Sequence, residues 1–204
     1  MNVIFDMGGV LAQEVDVIPQ ISQITGISPS DIRDFSGVDF HSMSEGAMTA
    51  QEYWNLFNTH FGTNVEGDLI AECFKPVIDH RMLYLIDALK AGGNRVVCGT
   101  NTLESHYRIH RNRGDYDSFH QVYASHLIGI TKPDPRFYTH ILDTEGWKPQ
   151  DCLFVDDRRE NTETAQALGI QTWTYVSTEL GFQEFVSWIC GIAGARLPEA
   201  FCPH

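Results

Sequence analysis

Asp6 closes the apolar run Asn2-Val-Ile-Phe5 and is followed, after Met7, by the pair Gly8-Gly9. A β-branched and aromatic run of this kind reads as a buried parallel strand that breaks into a tight glycine turn. A carboxylate at such a strand end can serve as a nucleophile or as a metal ligand. Two further runs end on polar residues: Arg95-Val-Val-Cys98 leads into Gly99-Thr100-Asn101, and Cys152-Leu-Phe-Val155 leads into Asp156-Asp157. Lys132 stands in the loop Thr-Lys-Pro-Asp-Pro. In an open α/β sheet the carboxyl ends of the strands open onto one crevice, where ligands bind. If these strands are neighbours, Asp6, Thr100, Asp156 and Asp157 converge, with Lys132 in reach. Carboxylates crowded on one crevice repel each other and any anionic substrate, so a hard cation such as Mg²⁺ is expected among them. Each residue also has a plain structural reading. Asp6 suits a glycine turn, Thr100 a strand end and Lys132 a solvated loop. Adjacent acids closing an apolar strand are harder to explain that way.

The elements that would carry these residues alternate. Strands are expected at Asn2–Phe5, Arg95–Cys98, Gln121–Ala124, Cys152–Asp156 and Gln171–Tyr175. Helices are expected at Arg81–Ala91 before Gly92-Gly93, at Pro135–Thr144, and at Asn161–Leu168 before Gly169. The order predicts an α/β fold with a doubly wound parallel sheet, a Rossmann-like core. From Val15 to His80 the pattern is helical and carries no strand signal. Pro29-Ser30-Asp31 and Thr49 read as helix starts, and Ile32, Phe35, Tyr53, Trp54, Leu56 and Phe57 supply apolar faces. We therefore expect residues 1–14 and 81–204 to form the core and residues 15–80 an inserted helical cap. Tyr53, Trp54 and Phe57, at helical spacing, read as core of that cap. The apolar stretch Phe182–Ala195 reads as a packed helix, too short to span a bilayer.

The bulk properties narrow the partners. The chain has 204 residues and a net charge of −13. That acidity argues against a nucleic-acid surface, which needs clustered Lys and Arg. The five cysteines, Cys73, Cys98, Cys152, Cys190 and Cys202, are scattered without a CxxC pair, which favours a reducing cytoplasm over a disulfide framework. The start of the chain lacks the pattern of a signal peptide. A monomer or a homodimer acting on a small molecule, away from membranes and nucleic acid, is expected.

Four motifs, in order, resemble the haloacid dehalogenase superfamily along essentially the whole chain. They are Asp6 in Phe-Asp-Met-Gly-Gly-Val, Thr100 in Gly-Thr-Asn, Lys132 in Lys-Pro-Asp-Pro, and Asp156-Asp157 in Phe-Val-Asp-Asp. Arg-Val-Val at 95–97 leading into Thr-Asn-Thr at 100–102, His106, and Glu45-Gly46 before Tyr53 are similar to small-capped members of the alpha-D-glucose-1-phosphate phosphatase type. The resemblance implies a phosphatase for a small phosphorylated metabolite, sugar phosphates among the candidates, working through an aspartyl phosphate with Mg²⁺. It assigns catalysis to Asp6 and Lys132, and phosphate or substrate binding to Thr100, Asn101, Lys132 and His106. Metal binding falls to Asp6, the Gly8 carbonyl, Asp156 and Asp157. Asn161 would orient Asp157 or cap the next helix.

One departure bears on mechanism. Most phosphatases of that superfamily carry a second Asp two residues after the nucleophile as general acid and base, and here that residue is Gly8. A positioned acid contributes about 10²–10⁴ in rate. Its absence points to leaving groups that need little protonation, to a substitute acid such as His106 or His41, or to lost activity. Two other functions stay open at this point: a dehalogenase-like hydrolase of the same fold, and a binding or regulatory domain.

Overall fold

The computed structural model describes residues 1–193, so Cys202, the end of the Phe182–Ala195 stretch and the last residues of the 81–204 segment lie outside the described residues. Strand β1 (Asn2–Phe5) alternates its side chains between two packed layers, as the two-residue repeat of a strand requires. Val3 and Phe5 enter one apolar cluster and Ile4 the other. The chain then turns at Gly8-Gly9 into β2 (Ala12–Gln13), and four helices follow: α1 (Ile18–Thr25), α2 (Pro29–Ser44), α3 (Ala50–Phe61) and α4 (Leu69–Cys73). It returns through β3 (Val77–Ile78), which pairs antiparallel with β2.

Helix starts in this insertion follow local chemistry. Pro29 occupies the first turn of α2, and the Ser28 side chain accepts from the Asp31 N–H. Thr49 and Glu52 form a reciprocal capping box on α3. The helices bury Ile21, Ile32, Tyr53, Trp54, Phe57 and Ile70 in a core of their own, which reaches Leu103 of the main body. Leu56, expected on an apolar face, is instead exposed, because Trp54 and Phe57 already turn the buried side of α3 inward.

After β3 come α5 (His80–Ala91), β4 (Arg95–Thr100), α6 (Glu104–Arg113), β5 (Val122–Ala124), α7 (Ser125–Ile128), α8 (Pro135–Glu145), β6 (Cys152–Asp156), α9 (Arg159–Ala167), β7 (Gln171–Thr174) and α10 (Glu179–Ala193). The five-stranded sheet has the order β5-β4-β1-β6-β7 and is parallel throughout. Phe5 lies level with Cys98 on one side and Val155 on the other. Helices α5 and α10 cover one face through Met82, Leu85, Leu89, Phe185 and Ile189. Helices α8 and α9 cover the other through Phe137, Tyr138, Ile141 and Ala165. This is the doubly wound α/β architecture expected from the alternation of elements.

The expectation of no strand between residues 15 and 80 needs correction, because β3 lies there. The β2–β3 ribbon has two residues on each side, too few for an alternation to be visible in sequence. The sequence reading also missed α6 and α7, and placed the start of α9 two residues late. Among the described residues no helix is long and apolar enough to cross a membrane.

Candidate active site

Strand register builds the site. β1 lies between β4 and β6, so Asp6, Thr100 and Asp156 leave the sheet side by side at its carboxyl edge. Lys132 enters from the loop between α7 and α8. Its ammonium lies 2.8 Å from Asp6 Oδ1 and 2.7 Å from Asp156 Oδ2, and donates to the Gly99 carbonyl at 2.9 Å. A lysine is buried only when its charge is answered, and here two carboxylates and a carbonyl answer it.

The loop that brings Lys132 in is clamped by Asn101. The Asn101 amide donates to the Lys132 carbonyl at 2.8 Å, and its oxygen accepts the Lys132 N–H at 2.8 Å. Asn101 thus spends both ends of its amide on holding Lys132. Thr100 is buried at the strand end, with its hydroxyl 3.4 Å from the Asn101 carbonyl.

Asp156 is held from every side. Its Oδ1 accepts the Arg158 N–H and the Asn161 side-chain amide, each at 2.9 Å, while Oδ2 takes Lys132. Asn161 therefore orients Asp156 rather than the neighbouring Asp157, and its backbone carbonyl accepts the Tyr138 hydroxyl at 2.9 Å. Asp6 Oδ1 accepts the Met7 N–H at 2.7 Å, so both bonds described for Asp6 use one oxygen. Asp157 is exposed, yet oxygen atoms of Asp6, Asp156 and Asp157 lie within 4.8 Å of one another.

The glycine turn makes room for this group. The Met7 carbonyl accepts from both Leu11 and Ala12, at 2.9 and 2.7 Å, which folds the chain back tightly. Gly9 has φ of +73°, and a Cβ there would stand 2.3 Å from Asp157 Oδ2. Only glycine fits both demands. Gly8 is different: a Cβ there would meet only Val15 methyl groups, at 3.8 and 4.0 Å.

Burial lifts the Asp6 carboxyl to about 7, and Asp156 adds to the rise while Lys132 opposes it. Burial also works against the charge of Lys132, but Asp6 and Asp156 outweigh it and hold the ammonium above the ordinary lysine range. Partial desolvation against the crevice, and then Asp156, raise the Asp157 carboxyl although part of the residue stays exposed. Three carboxylates thus face one ammonium, an imbalance that a divalent cation would remove. The donors fit Mg²⁺, which takes carboxylate and carbonyl oxygens and keeps waters.

Beside this group lies a cavity of about 400 Å³ between the helical insertion and the sheet, lined by Gly8, Thr100 and Asn101 among others. His106 lines it as well, stacked on Phe74 with ring centroids 3.6 Å apart. Burial, aided by His110, pushes His106 down to about 4, so its ring is neutral at physiological pH and has no imidazolium proton to give. His41 is exposed, 3.4 Å from Glu45 at the end of its helix, and is not part of the cavity wall. Arg158 lines the cavity and pairs with Glu160, and Arg159 pairs with Glu163 at 2.7 Å. Sequence reasoning did not single out Phe74 or Tyr116 as wall residues. Both sit in segments with no polar motif to draw attention to them.

The model of the haloacid dehalogenase-like hydrolases matches residues 1–169. The chain belongs to that family. Phosphatases are among its relatives. A sesquiterpene phosphatase of Aspergillus oryzae is 29% identical over 82% of this chain and 85% of its own length. A D-ribitol-5-phosphate phosphatase of Bacteroides thetaiotaomicron is 24% identical over 84% of this chain and 90% of its own length. Among solved structures, a family enzyme from the same bacterium, in complex with magnesium and inorganic phosphate, matches with a TM-score of 0.75. It is 25% identical and covers 87% of this chain and 95% of its own.

Proposed function

We propose that this protein is a magnesium-dependent phosphatase of a small organic phosphate, with Asp6 as the nucleophile. The observation that carries the reading is the Lys132 ammonium bound to Asp6 and Asp156 at once, beside Asp157 and Thr100. An ammonium on one oxygen of Asp6 fixes the carboxylate and leaves Oδ2 to attack phosphorus. That attack forms an aspartyl phosphate, which water then hydrolyses, so one hard displacement becomes two easier ones. Lys132 and the Thr100 hydroxyl, with nearby N–H groups, hold the phosphoryl oxygens as charge develops on them. Asp6, Asp156, Asp157 and the Gly8 carbonyl would hold Mg²⁺, which offsets the carboxylates and polarises the phosphoryl group. Residues 15–80 act as the cap, closing the cavity against water.

Two long matches named phosphatases support this reading over a dehalogenase or a binding domain. Gly8 and a neutral His106 leave the leaving-group oxygen without an evident acid. Esters with good leaving groups, such as aryl or anomeric phosphates, should therefore turn over faster than primary alkyl phosphates. The test is a screen of phosphate esters with Mg²⁺, with chelator and with Asp6→Asn. We expect hydrolysis that needs Mg²⁺ and falls by 10³-fold or more, on the order seen when a nucleophile is removed, in Asp6→Asn. Undiminished turnover in that variant would overturn the assignment.

A further inference from the structure

The cavity beside Asp6 has a wall whose chemistry selects a substrate class. Val15, Val17, Ile18, Phe40, Phe74 and Leu103 form an apolar part of it, beside a polar part near Thr100 and Asn101. Val15 is more than a third exposed and faces the crevice at Gly8, an apolar side chain left open where the substrate must pass. Several polar side chains of the wall are engaged within the protein, Arg158 with Glu160 among them. Asp16 accepts the Ile18 N–H at 3.0 Å and pairs with Arg33 at 2.8 Å. Asn101 is spent on the Lys132 backbone, and His110 Nδ1 bonds Asp115 at 2.8 Å. His106 Nε2 and the Tyr116 hydroxyl are shut from solvent and have no hydrogen-bond partner among the described residues, so the wall offers two polar atoms to a bound molecule.

A sugar brought here would exchange water for this wall at most of its hydroxyls, and a buried hydroxyl without a partner is costly. A hydrocarbon body would gain with each carbon taken out of water.

We propose that this cavity receives an apolar body, so that the enzyme binds phosphate monoesters of hydrocarbon alcohols, aliphatic or aromatic, more tightly than sugar phosphates, while the leaving group still sets the rate of the chemical step. The proposal rests on the phosphatase reading above and adds the substrate class to it. Each turnover consumes one water, breaks the P–O bond to the alcohol and releases alcohol and inorganic phosphate.

Alkylphosphonates test it, because their C–P bond is not hydrolysed and leaving-group effects drop out. Binding to the Mg²⁺-loaded wild-type protein would be measured by calorimetry from methyl- to octylphosphonate, with inorganic phosphate beside them. Glucose 6-phosphate, ribitol 5-phosphate and, for comparison in the same protein, methylphosphonate would be titrated into Asp6→Asn at saturating Mg²⁺. Affinity should rise about fourfold per methylene until the cavity is full. The two sugar phosphates should bind no more tightly than methylphosphonate. Val15→Asn should lower the octyl-to-methyl affinity ratio. Affinity independent of chain length, an unchanged ratio in Val15→Asn, or tighter sugar phosphates would overturn the substrate class while inorganic phosphate still binds. Absence of phosphate binding, with no Asp6-dependent hydrolysis of p-nitrophenyl phosphate, would instead overturn the phosphatase reading, and the substrate class with it.

Discussion

Gly8 and Gly9 are adjacent, yet they do unlike work. Gly9 needs a left-handed backbone and lies against the Asp157 carboxylate, whereas Gly8 has neither constraint. A side chain at Gly8 would point toward Val15 with ordinary van der Waals clearance. The backbone at Gly8 therefore accepts a Cβ where most family phosphatases carry their acid. Gly8→Asp is expected to raise the rate on primary alkyl phosphates toward the 10²–10⁴ that a positioned acid contributes. Aryl phosphates, whose leaving groups need no proton, should gain little. Comparing kcat for a phenyl and an alkyl ester in both proteins checks this, and an equal gain on both would argue against an acid role. Asp6, Thr100, Lys132 and Asp156-Asp157 were visible in the sequence because polar residues stood at the ends of apolar runs. The partners of these residues were not. Asn101 reads as a phosphate contact until its amide is seen on the Lys132 backbone, and Asn161 turned out to serve Asp156. The first pairing joins loops 31 residues apart, which no local pattern encodes; the second spans five residues, but its geometry depends on how the turn after β6 enters α9.

At the scale of elements, the helical insertion meets the sheet domain through the Phe74–His106 stack and at two backbone contacts. The β2–β3 ribbon is one, reinforced by the Asp79 N–H donating to the Leu11 carbonyl at 2.9 Å. The turn at Glu45-Gly46 is another: a Cβ on Gly46 would stand 2.3 Å from the His126 carbonyl, and φ there is +70°. Thr131, next to Lys132, donates to Glu45 at 3.3 Å. Glu45-Gly46 was noticeable in sequence only as a motif; its use is close backbone approach to the segment that carries Lys132. Two substitutions separate packing from function. Thr49→Ala removes one half of an exposed capping box and should cost about 0.5–2 kcal/mol of stability with unchanged kcat. Gly46→Ala should cost about 1–3 kcal/mol from the strained backbone alone. It should also lower kcat/KM, because the clash pushes the insertion off α7 and disturbs the loop of Lys132. Urea unfolding beside steady-state kinetics reads both. Unchanged kcat/KM in a measurably destabilised Gly46→Ala would leave the turn with a structural role only. The ribbon itself escaped the sequence because two residues cannot display a period, and Leu56 misled because helical spacing does not say which side of an amphipathic stripe its edge falls on.

The whole molecule carries a net charge of −13, and in the crevice three carboxylates meet one ammonium. Folding must push Asp6 into that place. Its carboxyl is raised from 3.8 to about 7 by burial, with Asp156 adding to the rise. The sign of the consequence follows by linkage. Between pH 4 and 7 the folded chain holds a proton at Asp6 that the unfolded chain has released. This group's contribution to stability is therefore full below pH 4 and is lost as pH rises through 7. His106, pushed down to about 4 by burial and His110, acts oppositely, because acid must charge it in the unfolded chain first. The net slope of the wild type mixes the two, but a difference between proteins isolates Asp6. In chelator, Asp6→Asn should gain stability relative to wild type as pH is raised from 5 to 8. With Mg²⁺ present the order should reverse, since a cation at one hundred times its dissociation constant stabilises by about 2.7 kcal/mol and the variant has lost a ligand. Thermal unfolding of both proteins at four pH values, with and without Mg²⁺, measures the crossing. A stability difference that ignores both pH and Mg²⁺ would mean that the carboxylates do not share one cation site, and the charge imbalance of the crevice would need another explanation.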